Sequence, residues 1–201
     1  MKNFNKILTN KLDNLDEQKI KNIDFKPLVK DVDIVINGSN VNTWGEYLNS
    51  DLGVNPYKLY AFLSTIFDNS IILDVGSQYG SSALSLSYNQ TNQVISYDIV
   101  DCGTSAIIKS NIIWKVMDFR NDSSINFDEV KMIVIDVDPH DGVQEREMIK
   151  FLEDKKWSGI LILDDIYKDN QMKNFWNSIE KEDKLDFTNI GHLTGTGVII
   201  F

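Results

Sequence analysis

Five short apolar runs dominate the chain from residue 70 onward: SIILDV, QVISYDI, NIIWKVM, KMIVIDV and GILILDD. Several are apolar throughout, without polar alternation. Strands buried on both faces of a parallel sheet read this way, because helices cover both sides. The segments between most of them suit helices. GVQEREMIKFLEDKK (142–156) is polar on one side and carries Met148, Ile149 and Leu152 on the other. NQMKNFWNSIEKE places Met172, Phe175, Trp176 and Ile179 at i, i+3, i+4 and i+7, a stripe for packing a helix on a sheet. RNDSSINFDE, after the third run, is too polar and short for a helix. The end, LDFTNIGHLTGTGVIIF, holds two strand-like runs joined by glycines, with no room for a crossover helix, and reads as an antiparallel hairpin. The class is α/β: five strand–helix units, then a closing hairpin.

Upstream the period differs. PYKLYAFLSTIFDN (56–69) sets Leu59, Phe62, Leu63 and Ile66 on one helical face, with Pro56 in the first turn. TWGEYLNS also reads as helical, DVDIVING (31–38) as a short strand or turn, and residues 1–30 as a helix-prone, solvated lead-in. With 201 residues, 42% of them hydrophobic, the chain suits one core and an extension. The boundaries expected are 1–55 for a helical lead-in or cap and 56–201 for the main domain. Cys102 is the single cysteine, so no internal disulfide framework or thiolate cluster is available. No apolar run is long enough to span a membrane, and the charged start lacks the core of a secretory signal. A cytoplasmic location is expected. The net charge is −10, although residues 1–30 hold seven Lys against four acids. That balance disfavours nucleic acid as a partner. It leaves a homodimer open.

The apolar runs end in acids. Asp74 closes the first, Asp98 the second, Asp118 follows the third, Asp136 and Asp138 close the fourth, and Asp164 and Asp165 the fifth. Open α/β sheets bind ligands beyond the carboxyl ends of their strands, and a parallel arrangement sends all seven to that edge. Asp is also a common helix cap, which accounts for any one of them but poorly for seven together. Crowded carboxylates repel, so such a cluster calls for a cation or a cationic ligand.

The turn after the first run narrows the ligand. DVGSQYG is Asp74-x-Gly76-x-x-x-Gly80. It matches neither the dinucleotide fingerprint nor the phosphate-cradling P-loop. It has no Lys or Arg to meet phosphate, and its acid would repel pyrophosphate yet suit an ammonium and a sulfonium. Asp98, ending the next run, is placed to accept hydrogen bonds from ribose hydroxyls.

The stretch ILDVGSQYGSSALSLS, with Asp98 and the terminal GHLTGTGVIIF, resembles class I S-adenosylmethionine-dependent methyltransferases over roughly residues 56–201. The resemblance implies a Rossmann-like, seven-stranded, mostly parallel sheet of order 3-2-1-4-5-7-6, with helices on both faces. It implies that Asp74, Gly76 and Gly80 line the methionine part of the cofactor, Asp98 the ribose, and Asp118 with Phe119 the adenine. Ser77, Ile99 and Asp136 join the cofactor-binding set.

Within that family, VIDVDPHDG and ILDDI resemble metal-dependent O-methyltransferases of the catechol and sugar-tailoring type. Their pattern assigns Asp136, Asp164 and Asp165 to Mg²⁺ or another divalent cation, with Asp138 in reserve. A metal held by oxygen ligands would lower the pKa of an acceptor hydroxyl and orient it. The catechol-type lysine position is occupied by Pro139, so His140 becomes the candidate general base, beside Asp136. His192 ranks below it. The expected activity is O-methylation of a small hydroxylated acceptor such as a sugar or phenol. Metal-independent transfer is the first alternative, and a non-catalytic S-adenosylmethionine-binding scaffold the second. The acceptor would meet residues 1–55 and the loops near 100–108, 138–143 and 166–171, where Trp44, Tyr47 and Tyr167 supply aromatic surface.

Overall fold

The computed structural model describes residues 2–25, 28, 35–36, 39–40, 54–102, 104, 108–180 and 184–201. TWGEYLNS, with Trp44 and Tyr47, lies outside them. Seven strands form one sheet: β1 (Ile71–Val75), β2 (Gln93–Asp98), β3 (Ile112–Val116), β4 (Val130–Ile135), β5 (Ile160–Asp164), β6 (Lys184–Asp186) and β7 (Thr196–Ile200). Their order is 3-2-1-4-5-7-6. The first five run parallel, and β7 is antiparallel to both β5 and β6, as the sequence pattern of the ending requires. Val35–Ile36 and Ser39–Asn40 form a separate antiparallel pair.

Strand alternation divides the core into two layers. On one face Ile72, Val94, Val134, Ile162 and Val198 meet α1 (Lys2–Asp13), α2 (Glu17–Lys21), α3 (Val54–Ser64) and α4 (Ser81–Leu86). On the other, Leu73, Val75, Ile133, Ile135 and Leu163 meet α5 (Val143–Asp154) and α6 (Asn170–Ser178). Met172, Phe175 and Trp176 of α6 are buried there, and Lys184 Nζ stands 4.7 Å from the Trp176 ring centroid. The connection after β3 is a 3₁₀ turn, Phe119–Asn121, followed by turns. The lead-in departs from expectation. Leu8 and Leu12 of α1 and Ile20 of α2 are buried in the first core layer, so these helices are structural cover and not a solvated arm. Among the described residues no helix is long and apolar enough to cross a membrane.

The turn leaving β1 is wedged between its neighbours. Gly76 N–H donates to Tyr97 O of β2 (2.8 Å), and Asp136 N–H, just past β4, donates to Val75 O (2.9 Å). Gly76 has φ +94°, and a Cβ there would overlap the Asp136 carbonyl oxygen. Both the backbone conformation and the space therefore require glycine. Gly76→Ala is expected to destabilise the fold by about 3 kcal/mol, from the left-handed backbone penalty plus overpacking. Urea denaturation at neutral pH checks this.

Candidate functional site

A cavity of about 750 Å³ opens at the carboxyl ends of β1, β2 and β4. The turn after β1 forms one wall and the segment 136–140 the opposite one. Gly80 (φ +83°) starts α4, and its N–H donates to Ser77 O. Ser77 is buried and braces the turn through Tyr97 O (3.2 Å). Gln78 takes a left-handed φ of +43°, and its N–H donates to Asp98 Oδ2 (2.7 Å). Asp98 Oδ1 accepts from Val100 N–H (3.0 Å). The acid thus fixes the turn, and each oxygen keeps lone-pair capacity for a ligand hydroxyl. Ile99, 78% exposed, gives the rim an apolar lip, and Phe119 lies at the base, packed edge-on to Phe151.

Ser77 and Gly80 brace the turn from behind and do not line the cavity, and two expected acids are also placed differently from their sequence reading. Asp74 does not line the cavity. It is 1% exposed on the face covered by α3 and α4, where Ser96 Oγ donates to it (2.7 Å). Burial pushes its carboxyl up to about 6, against the hydrogen bonds from Ser96 and Ser82. Asp118 does line the cavity, but Arg120 donates to both of its oxygens (Nε at 3.0 Å to each, Nη2 at 2.6 Å), and Arg120 N–H adds 2.9 Å. These contacts hold Asp118 below its ordinary carboxylate range and use up its acceptor capacity.

Beyond β4 and β5 the remaining acids converge on two imidazoles. His140 is 7% exposed, with φ +53°. Its Nε2 lies 3.5 Å from Asp136 Oδ1, 3.6 Å from Asp138 Oδ1 and 3.7 Å from Asp165 Oδ2. Burial, and then the charges of Asp164, Asp165 and Asp74, push the Asp136 carboxyl well above its usual range. His192, from the loop between β6 and β7, reaches the same place. Its Nδ1 is 3.2 Å from Asp164 Oδ2 and 3.0 Å from Asp165 Oδ1. Hydrogen bonding to Asp164 first, then to Asp165, raises His192 to about 10. Burial pushes Asp165 up, but His192 and Thr194 outweigh it and bring it to about 2.

The donor atoms of Asp164, Asp165 and His192 all lie within 4.8 Å of one another. Two carboxylates and one imidazole at this spacing fit a divalent cation by the chemistry of the donor set. Of the metal set expected from sequence, Asp164 and Asp165 stand together, while Asp136 is offset from them across His140. The imidazole moves the donor preference from Mg²⁺ toward Mn²⁺, Fe²⁺ or Zn²⁺. His192 as a ligand, Arg120 as the partner of Asp118 and Gln78 as the partner of Asp98 were not singled out by sequence reading. The one available signal was the glycine-flanked His192 in GHLTG.

No family profile matches the sequence, and no curated protein sequence matches it. Solved structures do resemble the fold. A methyltransferase of Podospora anserina, solved with S-adenosylhomocysteine bound, superposes at TM-score 0.55 and 12% identity, over 86% of this chain and 91% of that one. An O-methyltransferase of Bacillus cereus in complex with S-adenosylhomocysteine gives TM-score 0.54 and 17% identity, over 88% of this chain and 95% of that one. The fold is that of class I S-adenosylmethionine-dependent methyltransferases.

The burial of Asp74 has a pH signature. Its folded pKa, about 6, lies above the unfolded value of about 3.9, so the folded state binds the proton more tightly. Stability falls as pH rises from about 4 to 6 and stays lower above that, by about 3 kcal/mol. Asp74→Asn should therefore be more stable than wild type at pH 7, with the gain gone by pH 4. Urea denaturation of both proteins at the two pH values tests this.

Proposed function

We propose that the chain is an S-adenosylmethionine-dependent methyltransferase acting on a hydroxyl of a small acceptor, with a divalent cation held by Asp164, Asp165 and His192. One observation carries the reading. The cavity framed by the glycine turn and Asp98 adjoins the carboxylate–imidazole cluster through Asp136 and His140, on a sheet of this topology. The volume suits a nucleoside-sized ligand. The turn offers backbone and no cationic side chain, as an ammonium and a sulfonium require. Asp98 binds the ribose, Ile99 contacts the base, and the buried Phe119 supports the wall behind it.

S-adenosylmethionine supplies an electrophilic methyl carbon on a sulfonium leaving group. The cation supplies Lewis acidity that makes an acceptor hydroxyl easier to deprotonate. The protein aligns the two reactants, and His140 Nε2, at the cavity wall among three carboxylates, takes the hydroxyl proton. A metal-independent reading has its own support. Raised to about 10, His192 carries a proton at neutral pH and itself sets a positive charge between Asp164 and Asp165.

Calorimetric titration with S-adenosylhomocysteine should show saturable binding that Asp98→Ala weakens by about 3 kcal/mol, roughly 100-fold. Folded protein that binds neither cofactor form would overturn the methyltransferase reading. Methyl transfer that survives chelation would favour the metal-independent form. Because His192 must shed its proton to ligate, Mn²⁺ affinity should rise about tenfold per pH unit between roughly pH 6 and 8. Electron paramagnetic resonance titration reads that slope, and a flat profile would remove His192 from the ligand set.

A further inference from the structure

Tyr60, on α3, is 2% exposed, and its phenol oxygen is buried without a hydrogen-bond partner. Its ring belongs to the core layer containing Ile72, Val134 and Ile162. Two residues further along each of those strands, with the same alternation, come Asp74, Asp136 and Asp164. The three acids therefore face the same helix-covered side of the sheet as the phenol. Burial, and then the charges of Asp164 and Asp136, push it well above its ordinary range, so it remains an O–H donor. Asp164 divides its two oxygens. Oδ2 faces His192 Nδ1 at 3.2 Å, while Oδ1 is buried and unpaired. A donor lacking an acceptor and an acceptor lacking a donor thus share one buried layer. Protein interiors rarely leave such a pair unjoined.

We propose that Tyr60 is the positioning residue for Asp164: its phenol O–H serves Asp164 Oδ1 through one shared water and keeps Oδ2 turned toward His192 and the cation. The inference rests on the cation reading above and adds a residue outside the cavity wall. Groups that orient a ligand carboxylate commonly set metal affinity without touching the metal. Tyr60 contacts neither cofactor nor acceptor in this scheme. Its removal should affect the cation and leave the cofactor alone.

The experiment is an Mn²⁺ titration by electron paramagnetic resonance on wild type, Tyr60→Phe, Asp164→Asn and the double variant, with S-adenosylhomocysteine affinity and Tm measured beside it. Phenylalanine keeps the ring and its packing, so the fold is retained. Tyr60→Phe should weaken Mn²⁺ binding roughly 10- to 100-fold and leave S-adenosylhomocysteine affinity unchanged. It should cause no further loss in the Asp164→Asn background, because the two residues act as one unit. Wild-type affinity in Tyr60→Phe, or losses that add, would overturn the role of Tyr60 while leaving the cation site standing. Wild type that binds no Mn²⁺ would overturn the cation site and this role with it.

Discussion

The carboxyl end of β1 is held from both sides at once: Gly76 N–H bonds to Tyr97 O on β2, and Val75 O accepts from Asp136 N–H past β4. This double tether sets the glycine turn, the end of β2 and the exit of β4 level with one another. Parallel register extends the alignment, with Val75 opposite Ile135 and Ile135 opposite Leu163. Asp98, Asp136 and Asp164 then emerge at one height along the sheet. The cavity follows from that levelling, since its walls are the segments that leave these strands. Gly76 is the narrowest part of the arrangement, where side-chain volume would separate β1 from β4.

Charge is the second organising constraint. Asp74, Asp136, Asp164 and Asp165 crowd one edge, and the Asp136 carboxyl is raised first by burial and then by the charges of the other three. Arg120 settles Asp118 at one end of the cavity, and the two imidazoles serve the other. Those two differ in their surroundings. His192 has close carboxylates on Nδ1, whereas His140 presents Nε2 to three acids at longer range and has a buried, unpaired Nδ1. The first is suited to ligation or to holding a fixed charge, and the second faces the cavity.

Much of the fold was legible because strands buried on both faces must be mostly apolar: β5 is buried along its whole length and β1, β2 and β4 over most of theirs, while the edge strand β3, with Lys115, is only partly buried. The closing hairpin was legible because too few residues remained for a crossover. Strand order was not readable from the residues themselves and entered through family resemblance. Asp98 was found by its distance from the glycine turn. Asp74 was harder, because a strand-end acid points to either face and alternation from Ile72 sends this one into the α3–α4 layer. The pairing of His192 with Asp164 and Asp165 spans the whole of α6 and β6, and no local spacing encodes it. Leu8, Leu12 and Ile20 are too sparse among Lys and Asn to announce a buried stripe, so the burial of α1 and α2 came only from the tertiary structure.

The place of β7, between β5 and β6, has a consequence for biosynthesis. As the chain leaves the ribosome, β5 emerges with one edge unpaired and keeps it until residues 196–200 arrive. During that interval a strand apolar except for its terminal Asp164 offers free backbone groups to neighbouring chains, a hazard for any nascent protein. The hairpin that covers the edge also delivers His192 to Asp164 and Asp165. Quenching of the sticky intermediate and completion of the carboxylate–imidazole cluster are therefore one event, and a chain cut short before the hairpin would lack both.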